Sequence, residues 1–319
     1  MPALYTHYLF ASEVMKKDEK YPSLYLLASQ GPDCFFFYGN SLKIRKDKQI
    51  RSSFGHMLHK INIAKTYEQM IRYALQDDQN KEMLLSFIRG FMVHYCLDRN
   101  AHPYIFYRSG FLKEDDTTHD AKFYSLAHMN FETYIDVLMK EEKAFFKQPK
   151  ELVNMSKEEG IAVSHMFHQV AKDVFSVDIG KKTYYQAYKD FRFVEKFLNS
   201  KRGGKKRFFA KHMHNTTLFA LSYPEGLTND DIYDYMNHNH QEWKHPVTGK
   251  TSHESFLDLF EKAKLDVEKV DEILTNAKAG KNVEKALIDF VSDINHNGTK
   301  VGEKMQFMHF LCEDGKLFY

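Results

Sequence analysis

The sequence is poor in cysteine and tryptophan. It contains three cysteines (Cys34, Cys96 and Cys312) and one tryptophan among 319 residues. An odd, small number of cysteines in a long chain excludes a fold that is held together by a disulfide framework. This composition is typical of a protein from a reducing compartment.

The sequence also lacks an excess of one charge and a long hydrophobic run. Lys and Arg number 45 against 43 Asp and Glu, a formal net charge of +2, so overall electrostatics call for neither nucleic acid nor an anionic membrane as partner. Residues 1–7 do not show the basic-then-apolar order of a signal peptide. No run reaches the roughly 18 apolar residues of a membrane-spanning helix. We therefore expect a soluble, cytoplasmic protein without a nucleic-acid partner. Transient contact with a membrane is compatible with this composition.

Hydrophobic side chains and histidines are plentiful. Hydrophobic residues make up 43% of the chain and aromatic residues 15%, which is enough for a substantial core and excludes a disordered chain. The chain also has 17 histidines. Because histidine is the commonest metal ligand in proteins, the positions of these histidines direct the functional analysis.

Helical periodicity dominates the hydrophobic pattern. Apolar residues recur at intervals of three and four, and strict alternation over the length of a strand is hard to find. The pattern predicts an all-α, multi-helix bundle. A weak break near residue 150 suggests a helical metal-binding core (1–150) and a helical extension packed on it (151–319), or one continuous domain. The predicted helices are 61–75, 81–100, 123–146, 157–175, 184–198, 255–274 and 283–294.

Two breaks bear on function. The segment Ser29-Gln-Gly-Pro-Asp33 has the composition of a turn, after which Asp33 can cap the next element. Pro103 follows His102, and the residue before a proline is pushed out of the α region. We therefore expect the helix that begins near residue 81 to end at His102.

Three polar residues lie along the inner side of that helix. His94, Asp98 and His102 are spaced by four residues, so His94 and Asp98 share one face and His102 leaves the end of it. Such groups are costly on a face bound for the core unless something compensates for their desolvation. A divalent metal does so, because imidazole and carboxylate are both good zinc ligands.

The next long helix carries the same pairing, in His128 and Glu132. Metal sites in helical bundles are assembled from such faces on adjacent helices. His7, Asp33, His56 and His59 are further candidates upstream, with His56 and His59 expected at the start of a helix.

Each of these features has a simpler explanation when taken alone. A single histidine near an apolar face is more often a hydrogen-bonded core or surface residue than a ligand. His94 with Asp98 can be a plain hydrogen-bonded pair, and His128 with Glu132 a solvated one. The joint occurrence on two helices and a preceding turn favours a metal site.

The order and spacing of these motifs resemble the prokaryotic zinc-dependent phospholipase C family. The motifs are Gln30-Gly-Pro-Asp33-Cys-Phe-Phe, Gly55-His-Met-Leu-His59, the stretch from Gly90 through His94, Asp98 and His102 to Ile105, and His128-xxx-Glu132. The similarity spans about residues 7 to 135. It implies a helical fold, two or three zinc ions and cleavage of a phosphodiester bond in a phospholipid or other small phosphodiester.

The resemblance also implies roles for individual residues. Asp33 would ligate the first zinc and orient the attacking water. The other ligands of this zinc would be His59 (or His56 as the alternative), His94 and Asp98. Asp98 would also bridge to another zinc. A second site would consist of His102, His128 and Glu132, with one position open for water. His7 would bind a third zinc with the N-terminal group of the chain.

Two other functions compete with this interpretation. A helical metal-dependent phosphohydrolase of nucleotides usually carries adjacent His and Asp residues. His119-Asp120 is such a pair, but it lies in a polar loop, which is a poor context for this kind of site. The other alternative is a non-catalytic zinc-binding protein that uses its second half as an interaction surface.

Overall fold

The computed structural model describes residues 4–40, 47–113, 116, 119–145, 147, 149–152, 154–200, 203–224 and 233–309. Helices dominate these residues, so the predicted all-α bundle with additional C-terminal helices is confirmed. The α-helices are α1 (Leu4–Val14), α2 (Pro22–Ala28), α3 (Lys48–Lys60), α4 (Ile63–Gln76), α5 (Lys81–Ser109), α6 (Ala121–Glu142), α7 (Pro149–Leu152), α8 (Lys157–Phe175), α9 (Thr183–Leu198), α10 (Gly204–His212), α11 (Thr217–Ala220), α12 (Phe256–Lys278) and α13 (Glu284–Val291).

Helix α5 is the centre of the bundle. It is buried along almost its whole length and packs against α1, α2, α4, α6, α8 and α12. Gly90 permits the close contact with α2, because a Cβ at this position would come within 2.3 Å of the Tyr25 carbonyl oxygen. The His94, Asp98 and His102 side chains therefore project from the most enclosed element of the molecule.

The prediction that this helix ends at His102 is wrong. Helix α5 continues through Pro103 to Ser109, although proline cannot donate a hydrogen bond to the carbonyl four residues earlier. That carbonyl belongs to Arg99, and a later turn of the chain packs on it, because a Cβ on Gly298 would come within 2.5 Å of both the Arg99 oxygen and the Pro103 ring. Tertiary packing at this point overrides the local preference of proline.

The segment from residue 29 to residue 61 also differs from expectation. Gly31–Phe37 forms a 3-10 helix, and Asp33 lies in its first turn without capping it. His56 and His59 lie at the end of α3, not at the start of a helix. The left-handed conformation of Asn62 (φ 55°) separates α3 from α4, close to the predicted start of a helix at residue 61.

Several helix starts follow directly from local chemistry. Ser156 and Ser255 form reciprocal capping boxes with Glu159 and Asp258, which satisfies backbone N–H groups that the first turn leaves free. Asp120 caps α6 by accepting a hydrogen bond from the Phe123 amide at 2.8 Å. This contact gives Asp120 a structural role.

The second half of the chain packs onto the first. Helix α12 lies against α5 and α13 lies against α4. Between α11 and α12, β1 (Trp243–Lys244) and β2 (Thr251–Ser252) form a short antiparallel hairpin. The expected division at residue 150 stays a prediction. Within the described part of the chain, no helix combines the length and apolarity that crossing a bilayer requires.

Candidate metal centre

Asp98 is the point on which four imidazoles converge. Its Oδ1 lies 3.2 Å from His7 Nε2 and 3.7 Å from His102 Nδ1, and its Oδ2 lies 2.8 Å from both His94 Nε2 and His296 Nδ1. Asp98 is only 4% exposed. One buried carboxylate thus contacts histidines from α1, α5 and the C-terminal part of the chain.

A second carboxylate, Glu132, faces two further ring nitrogens. Its Oε1 lies 3.3 Å from both His102 Nε2 and His128 Nε2. His128 and Glu132 share one face of α6, as predicted, and His102 meets them from α5. His102, His128 and Glu132 form a group in which one ligand atom from each residue lies within 4.8 Å of the others. We call this group the second cluster.

Asp33 lies beside the first set of histidines. Its Oδ1 is 3.1 Å from His59 Nε2, and the ring of His59 lies 6.0 Å from that of His94 between centroids. His59, His94, Asp98 and His296 each offer one ligand atom within 4.8 Å of the others. We call these four residues the first cluster.

The ring orientation of three histidines shows which nitrogen is free to bind a cation. His59 Nδ1 lies 2.7 Å from the Gly55 carbonyl, His94 Nδ1 lies 3.0 Å from the Ser29 carbonyl, and His102 Nδ1 lies 2.6 Å from the carbonyl of His296. A carbonyl only accepts hydrogen bonds, so each Nδ1 carries the proton. In the neutral ring the Nε2 lone pair then points at a carboxylate oxygen.

This arrangement fits a metal. A lone pair that faces a carboxylate oxygen at about 3 Å is repulsive, and a shared cation between them removes the repulsion. His94 Nε2, His7 Nδ1 and His296 Nε2 are buried, and within the described part of the chain none of them has a satisfactory hydrogen-bond partner, although Asp98 Oδ2 lies 2.8 Å from His94 Nε2. Metal-ligating histidines in proteins typically donate their other ring N–H to a carbonyl or carboxylate.

Electrostatics keep the carboxylates ionised. Burial alone would raise the pKa of the Asp98 carboxyl, but the charges of His94 and His102 hold it well below its usual range. Burial also acts to raise the pKa values of Asp33 and Glu132, and the nearby positive charges, including those of the histidines that face them, lower both. All three side chains are therefore anions at neutral pH, as metal ligands need to be.

The histidines divide into two groups. Burial lowers the pKa values of His7 and His128, and it lowers that of His296 to about 3. Burial also opposes protonation of His94 and His102, but the charge of Asp98 outweighs it and raises the pKa of each ring. Protons on these two rings are the ones that a bound metal displaces.

His7 is positioned by a carboxylate outside the clusters. Asp136 of α6 accepts hydrogen bonds from the Tyr5 amide at 3.1 Å, the Thr6 amide at 2.8 Å and the Thr6 hydroxyl at 2.6 Å. These contacts satisfy free amides at the start of α1. They fix this helix so that His7 reaches Asp98.

His296 was missed by the sequence analysis. It lies in a turn after α13, 164 residues beyond Glu132 (296 − 132). No second histidine or carboxylate lies four residues before or after it. The available signal was the small, polar Asn295-His-Asn-Gly298 turn, which predicts a tight loop but no ligand.

Other candidates lie outside the clusters. His56 packs its ring on Phe36, with 4.6 Å between centroids, and His59 makes the contact with Asp33 instead. His119 stacks on Phe123, with 4.2 Å between centroids, while Asp120 caps α6, so this pair serves the start of a helix. The N-terminal group expected beside His7 lies outside the described residues.

A comparison with protein families identifies the framework that carries these clusters. The family model described as zinc-dependent phospholipase C matches residues 6–191, more than half of the chain. The chain belongs to the zinc-dependent phospholipase C family. No curated protein and no solved structure is significantly similar to it.

The match to the zinc-dependent phospholipase C family covers eight of the nine residues that contact one another here. His7, Asp33, His59, His94, Asp98, His102, His128 and Glu132 all lie within the matched range 6–191, whereas His296 lies beyond it. Eight of these nine residues therefore come from the family region, and His296 comes from the part of the chain that the family model does not cover.

Proposed function

We propose that the protein is a zinc-dependent hydrolase of phosphoric ester bonds that acts on a phospholipid or another small phosphodiester. The observation that carries this proposal is the pair of adjacent clusters, in which imidazole ring nitrogens face ionised, buried carboxylates. Family membership supports zinc as the cation, and imidazole and carboxylate are suitable zinc ligands.

The proposed ligands divide between the clusters. Asp33, His59, His94 and Asp98 would hold one zinc, and His102, His128 and Glu132 would hold another. His94 faces Oδ2 of Asp98, whereas His7 lies 3.2 Å from Oδ1 of the same carboxylate. Oδ1 would therefore be available to a third ion held by His7. Two or three zinc ions are therefore proposed.

Bound zinc lowers the pKa of a coordinated water towards about 7 and polarises phosphoryl oxygens. The protein supplies orientation and proton transfer. The Asp33 carboxylate is ionised, so it can accept a hydrogen bond from the attacking water, and it would receive the proton of that water because bound zinc makes the water more acidic. A phosphate substrate then requires no basic side chain, because the metals carry the positive charge.

Exposure supports the second cluster as the entry point for substrate. The His128 side chain is 14% exposed, whereas those of His102 and Glu132 are 6% and 3% exposed. Three protein ligands also leave one coordination position open, as in catalytic zinc sites. The phosphoryl group would approach from the side of His128.

The proposal is tested by Asp33→Asn in the zinc-loaded protein, assayed with a chromogenic phosphodiester and with phospholipid micelles. Asparagine cannot accept the water's proton, so turnover is expected to fall about 10²- to 10⁴-fold, the usual contribution of general acid–base catalysis. Zinc content is expected to stay at that of the wild type at saturating zinc. Asp178→Asn is the control, because the Asp178 side chain is 71% exposed.

Three results would contradict the proposal. Equal turnover in Asp33→Asn and wild type would remove Asp33 from catalysis. A zinc-loaded wild type that hydrolyses neither substrate would favour a non-catalytic zinc protein. Preferential release of nucleosides from nucleotides would favour the nucleotide phosphohydrolase.

A further inference from the structure

The turn that follows α13 inserts a side chain into the first cluster. His296 is 1% exposed, and its Nδ1 lies 2.8 Å from Asp98 Oδ2. Its ring centroid lies 4.7 Å from that of His59 and 5.4 Å from that of His94. A residue from the last quarter of the chain is thus in contact with residues that the family framework contributes.

The backbone of His296 contacts both clusters. Its amide donates to the carbonyl of His59 at 3.1 Å. Its own carbonyl accepts the Nδ1 proton of His102 at 2.6 Å, which fixes the ring of a residue in the second cluster. One residue therefore touches a histidine of each cluster through its main chain and Asp98 through its side chain.

The turn is built to hold this position. The Asn295 side chain accepts hydrogen bonds from the Asn297 amide at 2.9 Å and the Thr299 hydroxyl at 3.2 Å. Tyr95 donates its hydroxyl to the Ile294 carbonyl at 2.8 Å. Gly298 adopts a left-handed conformation (φ +73°) and packs against Pro103, where a side chain would not fit.

The free nitrogen of His296 points to its role. Its Nε2 is buried and has no hydrogen-bond partner among the residues that the structure describes. If Nδ1 donates its proton to Asp98, the lone pair on Nε2 is left without a hydrogen-bond donor. If Nδ1 is instead unprotonated, the lone pair on Nδ1 faces the Asp98 carboxylate. Either tautomer presents one nitrogen of a buried imidazole to a cation beside Asp98.

We propose that His296 is an additional imidazole ligand of the first cluster, so that the C-terminal part of the chain completes this metal site. This inference rests on the proposed zinc function. Together with Asp33, His59, His94 and Asp98 it gives the first zinc five protein ligands, more than the four typical of closed zinc sites, whereas the second cluster keeps three and an open position. The first cluster then holds its metal away from solvent, and the second cluster is the one that exchanges ligands with water and substrate.

The test measures zinc affinity by competition with a chelator in metal-depleted protein. His296→Ala and His296→Gln are expected to weaken one zinc by at least about 100-fold, beyond the 10- to 100-fold loss typical of residues that only orient a ligand. Tyr95→Phe is the matched control, because it removes an anchor of the same turn and leaves every ring nitrogen in place. Its zinc affinity is expected to change less than about 10-fold, the effect of one hydrogen bond.

Cobalt substitution gives a readout of the ligand set itself. The visible absorption of the cobalt-loaded protein is expected to change in both His296 variants and to stay unchanged in Tyr95→Phe. Added imidazole is expected to restore part of the spectrum in His296→Ala, because it can occupy the space of the missing ring.

Hydrogen exchange tests the inference without a variant. In the wild-type protein, bound zinc is expected to slow amide exchange in residues 294–300 by at least about 10-fold, because a ligand in this turn couples its opening to metal release. Equal exchange with and without zinc would overturn the inference, as would unchanged zinc affinity and cobalt spectra in the His296 variants. These results would leave the proposed hydrolase intact, whereas a zinc-loaded wild type that hydrolyses neither substrate would overturn the hydrolase and leave His296 as a ligand.

Discussion

At the scale of single residues, Asp98 organises the metal centre. Its two oxygens face His7, His94, His102 and His296 at 2.8–3.7 Å. A buried carboxylate with this many imidazoles around it shares its charge among several partners. Removal of that charge is therefore expected to affect more than one metal.

Asp98→Asn is the corresponding variant. The amide has no negative charge, and its N–H₂ group offers no lone pair to a metal. We expect the variant to lose at least one zinc that the wild type retains and to bind that zinc at least about 100-fold more weakly, consistent with the loss of a direct ligand. Metal analysis after equilibrium dialysis against a zinc buffer measures both quantities.

Asp190→Asn is the control for this variant. Asp190 is also buried, at 2% exposure, and its carboxylate accepts a hydrogen bond from the Gly39 amide at 2.8 Å. This variant is expected to lose stability but keep its zinc. Equal zinc content in Asp98→Asn and wild type would contradict the role given to Asp98.

Residue chemistry also explains how much of the site the sequence could predict. His94 and Asp98, and His128 and Glu132, were found because a spacing of four residues places both members on one helix face. His296 has no partner at such a spacing, and its contact with Asp98 bridges 198 residues. A contact of this kind depends on how α13 packs, which local patterns do not contain.

At the scale of elements, the 3-10 helix from Gly31 to Phe37 determines where Asp33 lies relative to the His94 ring. Gly31 adopts a left-handed conformation (φ +51°) directly against the His94 ring. A Cβ at this position would come within 2.2 Å of His94 Cδ2. The absence of a side chain here allows the segment that carries Asp33 to pack against α5.

Gly31→Ala is therefore expected to displace the His94 ring and to weaken zinc binding. The steric conflict is expected to lower the free energy of unfolding by about 1–3 kcal/mol, the usual cost of overpacking, in addition to about 1–2 kcal/mol for the left-handed backbone. Denaturant titration and chelator competition measure the two effects.

Gly280→Ala separates strain from contact. Gly280 is also left-handed (φ +76°), but no heavy atom of the described residues lies within 4 Å of the position of an added Cβ. This variant is expected to lose about 1–2 kcal/mol and no zinc affinity. If both variants bound zinc like the wild type, the close packing of Gly31 against His94 would not be required for zinc binding.

Periodicity predicted the long helices α4, α5, α6, α8, α9 and α12, because each has a face that is richer in apolar residues. Helix α1 was not predicted, since all residues from Leu4 to Ala11 are buried and no polar face marks the helix. The extension of α5 beyond Pro103 depends on the turn around Gly298, which packs there from a distant part of the chain.

At the scale of the whole molecule, a buried acidic network connects α1, α6 and α9. Tyr223 lies with its hydroxyl 3.3 Å from Asp136 and 3.5 Å from Glu195. Burial raises the pKa of Asp136 to about 7 and that of Glu195 to about 8, and the charge of Asp136 contributes to the second shift. Both side chains are therefore protonated in the folded protein at pH values where they are ionised in the unfolded chain.

This network predicts a fall in stability with rising pH. Free carboxyl groups titrate near pH 4, so between about pH 4.5 and 8 the folded state binds the additional protons. The stabilisation from Glu195 is complete below its unfolded pKa and is lost as pH rises through its folded pKa. Each group contributes a slope of up to about 1.4 kcal/mol per pH unit.

Glu195→Gln isolates this effect, because glutamine stays neutral and can still accept a hydrogen bond from Tyr223. Denaturant titrations from pH 5 to 8 are expected to show the variant gaining stability relative to wild type as pH rises. A difference that is constant with pH, or that grows in favour of the wild type, would contradict the raised pKa of Glu195.

The most direct test of the metal centre is anomalous X-ray scattering at the zinc edge from crystals of the zinc-loaded protein. We predict one peak within about 2.0–2.3 Å of ligand atoms from His59, His94 and Asp98, and a second at the same distances from His102, His128 and Glu132. Anomalous peaks confined to surface histidines, or no peak at either cluster, would contradict the account.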